Sequence, residues 1–126
     1  MIQIKKEGIL LKKTKLSFEN DSVLNPAIMQ EGNIVHMLYR AVRSGNYSTI
    51  GYAKFEGPLK IVQRNNTPLI IPFLDEESKG VEDARIVKID GVYYITYTAY
   101  NGINALGALV TSTDLLTFER HWIIVP

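Results

Sequence analysis

Arg85-Ile86-Val87-Lys88-Ile89-Asp90-Gly91-Val92-Tyr93-Tyr94-Ile95-Thr96-Tyr97-Thr98 decides the fold class. Asp-Gly is the dipeptide that closes a two-residue β-hairpin, because both central positions of that turn need positive φ. The flanks alternate as strands do: Tyr93, Ile95 and Tyr97 on one face, Tyr94 and Thr96 on the other. A second hairpin reads the same way. Glu31-Gly32-Asn33 separates Ala27–Gln30 from Ile34–Arg40, whose faces are Ile34, His36, Leu38, Arg40 and Val35, Met37, Tyr39. Both faces of these strands are largely apolar or aromatic, which predicts cover on both sides. Further strands are expected at Ser48–Phe55 and Leu106–Ser112. No stretch carries a helical period with caps. The chain reads as all-β.

The two hairpins belong to a repeat. The segment Asn25-Pro26-Ala27, Gly32, Leu38-Tyr39-Arg40, Ile50-Gly51-Tyr52 and Glu56 lies over Asp83-Ala84-Arg85, Gly91, Tyr97-Thr98-Ala99, Ala108-Leu109-Val110 and Asp114, at an offset of roughly 58 residues. Repeats of about 40–50 residues with four strands each mark propeller blades. A β-sandwich of two similar hairpin pairs fits the same pattern. Read as blades, residues 20–78 and 79–126 form a first and a second blade-like repeat within one partial domain. Asn25 and Asp83 are then equivalent points just before the first strand of each, facing one shared channel, with Arg40 and Arg85 nearby.

Bulk composition narrows the rest. The 126 residues, 46% hydrophobic and 21% charged, suit one compact domain. A net charge of +1 gives no field for nucleic acid or anionic membrane. The cluster Lys5, Lys6, Lys12, Lys13, Lys15 is broken by Glu7 and reads as a solvated edge strand or arm. With no cysteine, thiolate chemistry and disulfides are excluded, and a reducing, cytoplasmic setting is expected. Residues 1–6 are too polar for a secretory signal, and no apolar run suits a membrane span. His36 reads as a core or channel-facing strand residue and His121 as unpartnered. No spacing of His, Asp or Glu predicts a metal site, and single glycines make no phosphate cradle. Asp75-Glu76-Glu77-Ser78-Lys79 reads as a solvated loop.

The string that carries chemistry is Lys79-Gly80-Val81-Glu82-Asp83-Ala84-Arg85. Adjacent carboxylates and a nearby arginine suit proton management on a sugar, where one carboxyl group must be held neutral to protonate the leaving oxygen. Strand alternation sends Glu82 and Asp83 to opposite sides, so they should not share a role. The structural alternative is an ion pair of Asp83 with Arg85 on one face.

Four segments in order, Val23-Leu24-Asn25-Pro26-Ala27, Met37-Leu38-Tyr39-Arg40-Ala41, Gly80-Val81-Glu82-Asp83-Ala84-Arg85 and Tyr93-Tyr94-Ile95-Thr96-Tyr97-Thr98-Ala99-Tyr100, carry a resemblance. Ser112-Thr113-Asp114-Leu115 with Phe118-Glu119 extends it. Together they resemble the N-terminal part of glycoside hydrolase family 130, the β-mannoside phosphorylases and related mannosidases. The resemblance implies blades of a five-bladed propeller, incomplete here, with the active site in the central funnel. It implies inverting cleavage of a β-mannoside oligosaccharide by inorganic phosphate, a co-substrate rather than a cofactor, or by water. Asp83 matches the family's catalytic acid; Asn25, Arg40 and Arg85 match positions at the substrate. Two departures stand out. Ala84 replaces the family's proline, which would restrain Asp83, and the blades that supply phosphate-binding or second carboxylate groups lie beyond this chain. The resemblance therefore implies a complementing C-terminal part. A noncatalytic carbohydrate-binding or self-assembling two-blade module, forming homo-oligomers, is the alternative.

Overall fold

The computed structural model describes residues 1–126. Eight strands follow in order: β1 Ser22–Glu31, β2 Ile34–Arg43, β3 Tyr47–Glu56, β4 Lys60–Arg64, β5 Gly80–Ile89, β6 Val92–Tyr100, β7 Ala105–Ser112 and β8 Glu119–Val125. The first four form one antiparallel meander and the last four another. A single parallel pair, Ser48 with Gly80, joins the two. These are blade-type units. Gly80 is required at that junction: it lies at φ 132°, and a Cβ there would sit 2.9 Å from the Ser48 backbone nitrogen and oxygen.

The hairpins close as their turn residues demand. Asp90 and Gly91 take φ 48° and 80°, the two positive values of a type I′ turn. In the β1–β2 turn Gly32 is positive, at 59°, and Asn33 is not, and Glu31 pairs with Ile34 across a two-residue loop.

The main core lies between the units. Ala27, Leu38, Ile50 and Tyr52 from the first pack with Val81, Ala84, Ile95 and Tyr97 from the second. A smaller cluster, Phe18, Met37, Tyr39 and Phe55, occupies the far face of the first unit, partly under Leu11 of the N-terminal arm. Strand β2 is thus covered on both faces, as its composition predicts. Strand β6 is not. Tyr93, Ile95 and Tyr97 are buried, but Tyr94 on the opposite face is exposed, with Val87 and Ile89 beside it. On β2 the corresponding face is the one the second unit covers; on β6 no third unit follows within these residues.

Each unit is also pinned by a buried carboxylate. A 3-10 turn at Ser17–Glu19 precedes β1, and another at Asp75–Glu77 precedes β5. Glu19 is fully buried, accepts the Tyr39 hydroxyl at 2.7 Å, and pairs with Arg64 at 3.1 Å. Glu77, also fully buried, accepts the Tyr97 hydroxyl at 2.5 Å and the backbone N–H of Phe73 and Leu74, and pairs with Arg120 at 3.3 Å. Arg64 and Arg120 each donate to the chain entering their unit, at the carbonyls of Lys12 and Ile71. Asp75, Ser78 and Lys79 are exposed, as a solvated loop requires, but Glu77 is not. Glu77 is drawn inside because a tyrosine, an arginine and two backbone amides satisfy its charge.

Candidate functional site

Asn25 and Asp83 lie within the first strand of their units, not ahead of it as the repeat suggested. Each strand bulges there: pairing skips between Leu24 and Ala27 in β1, and between Glu82 and Arg85 in β5. Asn25 and Asp83 occupy the left-handed region, at φ 48° and 52°. Asn and Asp are the non-glycine residues that tolerate it best, since their short side chains can hydrogen-bond locally. Pro26 and Ala84 follow them. Pro26 needs no ladder partner for a backbone N–H, which suits a bulge. Ala84 forms the same backbone without the ring, and its burial in the inter-unit core holds Asp83 in place.

The two bulges meet. Asn25 Nδ2 donates to Asp83 Oδ1 at 2.8 Å, across 58 residues of sequence. Arg40, on β2, joins them: its Nη2 donates to Glu82 Oε1 at 2.9 Å, its Nε donates to Ser48 Oγ at 2.9 Å, and its Nη1 stands 3.7 Å from Asp83 Oδ1. Glu82 and Asp83 thus flank one guanidinium. The expectation that they point apart fails because the bulge breaks strand alternation at that step. Burial, partly offset by Arg40 and reinforced by Asp83, raises the Glu82 pKa above the ordinary carboxylate range. The Asp83 side chain keeps 38% of its surface open, more than twice the 17% of Arg40. The reachable group is the aspartate.

Arg85 is not brought into the cluster. It is exposed on the outer face of β5, its Nη1 donating to the neighbouring Ala84 carbonyl at 2.8 Å. The structural ion pair of Asp83 with Arg85 does not form, since the bulge turns the two apart. Ser48 and Glu82 are the members that sequence reasoning missed as partners of Arg40. The Glu82 signal was present in its position beside Asp83, but not its direction.

The two histidines divide. His36 is buried, as read, with its Nε2 donating to Glu31 at 2.9 Å and its Nδ1 sharing a hydrogen bond with the Tyr52 hydroxyl at 2.7 Å. His121 has a partner after all, the Thr111 hydroxyl at 2.7 Å, because β8 pairs with β7 there. No group of three or more His, Asp or Glu side chains is arranged to hold a metal ion. The most voluminous cleft, about 350 Å³ and lined by Thr111, Ser112, Phe118 and Glu119 among others, contains none of the clustered residues. It is an open turn region of the second unit, so its size says little about chemistry.

Fold and cluster place the chain in a class of all-β proteins built from blade-type units, with polar side chains meeting at the bulged first strands. The chain belongs to glycoside hydrolase family 130: the family's sequence model, described as β-1,4-mannooligosaccharide phosphorylase, matches residues 4–125. Among curated proteins it is similar to two from Thermoanaerobacter sp. (strain X514). One is a β-1,2-mannobiose phosphorylase, 32% identical over 143 aligned positions, and the other a 1,2-β-oligomannan phosphorylase, 30% identical over 138. Each match takes in 99% of this chain and 46% of the relative, so the chain spans about half the length of the proteins it resembles. Among solved structures, a glycosyl hydrolase from Bacteroides ovatus superposes with a TM-score of 0.77 at 26% identity, covering 89% of this chain and 38% of that one. No helix is long and apolar enough to cross a membrane.

Proposed function

We propose that this chain supplies the sugar-holding and proton-donating side of an inverting β-mannoside phosphorylase or mannosidase, and that activity needs blades beyond these 126 residues. The observation that carries the reading is the Asn25–Asp83 hydrogen bond between the equivalent bulges of the two units, with Arg40 beside it. In this reading the two blade-like repeats, 20–78 and 79–126, form part of a five-bladed ring. The apolar face that Val87, Ile89 and Tyr94 leave open supports the need for further blades.

Asp83 acts as the general acid. With Oδ1 accepting from Asn25, Oδ2 is the oxygen left to carry the proton. It passes that proton to the glycosidic oxygen, directly or through a hydroxyl of the bound mannose. Phosphate, or water in a hydrolytic relative, attacks the anomeric carbon from the opposite face as the glycosidic bond breaks. The products are an α-mannose 1-phosphate, or mannose, and the protonated leaving sugar. Asn25 and Arg40 hold the mannose at the cleavage point. A substrate role for Arg85 rests on its place in the family motif alone, since it faces outward and donates to the Ala84 carbonyl. The groups that hold phosphate are assigned to blades beyond these residues. A cytoplasmic location is supported by the absence of cysteine.

The test is completion. This chain is fused to the C-terminal blades of a Thermoanaerobacter relative and supplied with β-mannobiose and inorganic phosphate. Release of mannose 1-phosphate is expected, falling about 10²–10⁴-fold on Asp83→Asn. A folded, monodisperse fusion that releases neither mannose 1-phosphate nor mannose, or one indifferent to Asp83→Asn, overturns the reading.

A further inference from the structure

We infer that Glu82 and Ser48 are positioning residues that hold the Arg40 guanidinium off Asp83, so that Asp83 is free to carry a proton. The inference rests on the reading of Asp83 as the acid, and adds what keeps that role open. A guanidinium offers a planar fork that matches a carboxylate with two parallel hydrogen bonds. Left alone beside Asp83, Arg40 would make that pair. An arginine so placed lowers an aspartate pKa by about 1–3 units and fixes it as the ionised form.

The geometry stops this at two points. Nε is committed to Ser48 Oγ and Nη2 to Glu82 Oε1, both at 2.9 Å. The remaining Nη1 stands 3.7 Å from Asp83 Oδ1, a single-point ion pair too long for a hydrogen bond and not the two-bond fork, while Asn25 donates to that oxygen at 2.8 Å. Both anchors are firm. Ser48 is fully buried, and its backbone forms the parallel junction with Gly80. The Glu82 side chain is 16% exposed, so its charge is screened less than that of Asp83. The groups facing Asp83 are thus Asn25 from β1, Arg40 from β2 and Glu82 from β5, with Ser48 from β3 acting through Arg40; Arg85 is turned to the Ala84 carbonyl. One anchor comes from each unit, so docking of the units sets the arginine.

The experiment uses this chain with ¹³C-labelled carboxyl groups, titrated by NMR. In Glu82→Gln, which keeps the shape and removes the charge, the Asp83 midpoint should fall by about one pH unit, a tenfold change in proton affinity. Part of that fall could come from the lost Glu82 charge acting through space. Placing Glu82→Gln in an Arg40→Gln background removes the arginine's share, and the fall should shrink by at least half. Ser48→Ala alters no charge and should move the midpoint the same way by a smaller amount. Without any substitution, the Arg40 Nε–H should exchange with solvent at least tenfold more slowly than that of exposed Arg85. An unmoved or raised midpoint in Glu82→Gln overturns the inference, as does a fall undiminished without Arg40. An Arg40 Nε–H that exchanges as fast as that of Arg85 overturns it even where a variant fails to fold. None of these outcomes touches the completion test, which reads Asp83 itself.

Discussion

At the residue scale, Asn25 and Asp83 show a backbone and a side chain under one constraint. Their φ values, 48° and 52°, cost most residues about 1–2 kcal/mol through contact of Cβ with the following carbonyl. The bulges that impose those values also aim the two side chains at each other. Asn25→Ala loses the hydrogen bond and keeps the strain; Asn25→Gly loses the bond and releases the strain. Urea unfolding should therefore place Asn25→Ala about 2 kcal/mol below the native chain and Asn25→Gly about 1 kcal/mol above the alanine variant. Equal stabilities would mean the left-handed backbone is not what selects asparagine. The meeting of Asn25, Arg40 and Asp83 was legible in the sequence because the motifs carry all three and the repeat pairs Asn25 with Asp83. The partnership of Glu82 with Arg40 was not, because alternation is the only directional rule a strand sequence offers, and a bulge suspends it.

At the scale of elements, most strands were readable and two edge strands, β4 and β8, were not. Strands β2, β3, β6 and β7 carry β-branched and aromatic runs bounded by turn residues. Strand β4, Lys60-Ile61-Val62-Gln63-Arg64, is a short edge with only Arg64 partly covered, and lacks a buried face to mark it. Strand β8, with Glu119, Arg120 and His121, fails to signal for the same reason. The two 3-10 turns escaped because a fully buried glutamate looks like a solvated one until its partners are known. Glu19 and Glu77 stand 58 residues apart, as do Tyr39 and Tyr97, so the repeat runs through these pins as well. Burial, then the bond to Glu77, holds the Tyr97 hydroxyl protonated far above the ordinary tyrosine range. It is the steady donor that the buried carboxylate requires. Tyr97→Phe should cost about 1–3 kcal/mol in urea or thermal unfolding. Tyr94→Phe, on the open face of the same strand, should cost less than about 0.5 kcal/mol. Matching losses at the two sites would deny the pin its role.

Across the whole molecule, the polar contacts that join the units are as specific as the apolar core between them. Glu31 ends β1 of the first unit, yet accepts from Lys88 Nζ at 2.6 Å and the Tyr93 hydroxyl at 2.7 Å, both in the second. His36 adds a third bond at 2.9 Å and leans on Tyr52, whose hydroxyl is pushed up to about 12, chiefly by burial. The bond from Lys88, then that from Tyr93, brings Glu31 down from 4.5 to about 2. In the unfolded chain Glu31 takes its proton near 4.5; in the folded chain it resists until about pH 2. Its contribution is therefore complete above pH 4.5 and drains away as pH falls through about 2. Glu82 works in the opposite sense: its raised pKa means the folded chain takes that proton more readily than the unfolded one, so acidification relieves a cost. Acid sensitivity from these two groups should accordingly centre on Glu31, at the junction of the units. Because Glu31 is about a third exposed, solvent screening limits the effect to roughly 1 kcal/mol. Glu31→Gln should be about 1–2 kcal/mol less stable at pH 7, from the lost pair and the imperfectly satisfied His36. The gap to the native chain should then close by about 1 kcal/mol between pH 4.5 and 2. Urea titrations at stepped pH values would read this directly, and curves that stay parallel over that interval would show that the contact does not carry the pH response of the interface.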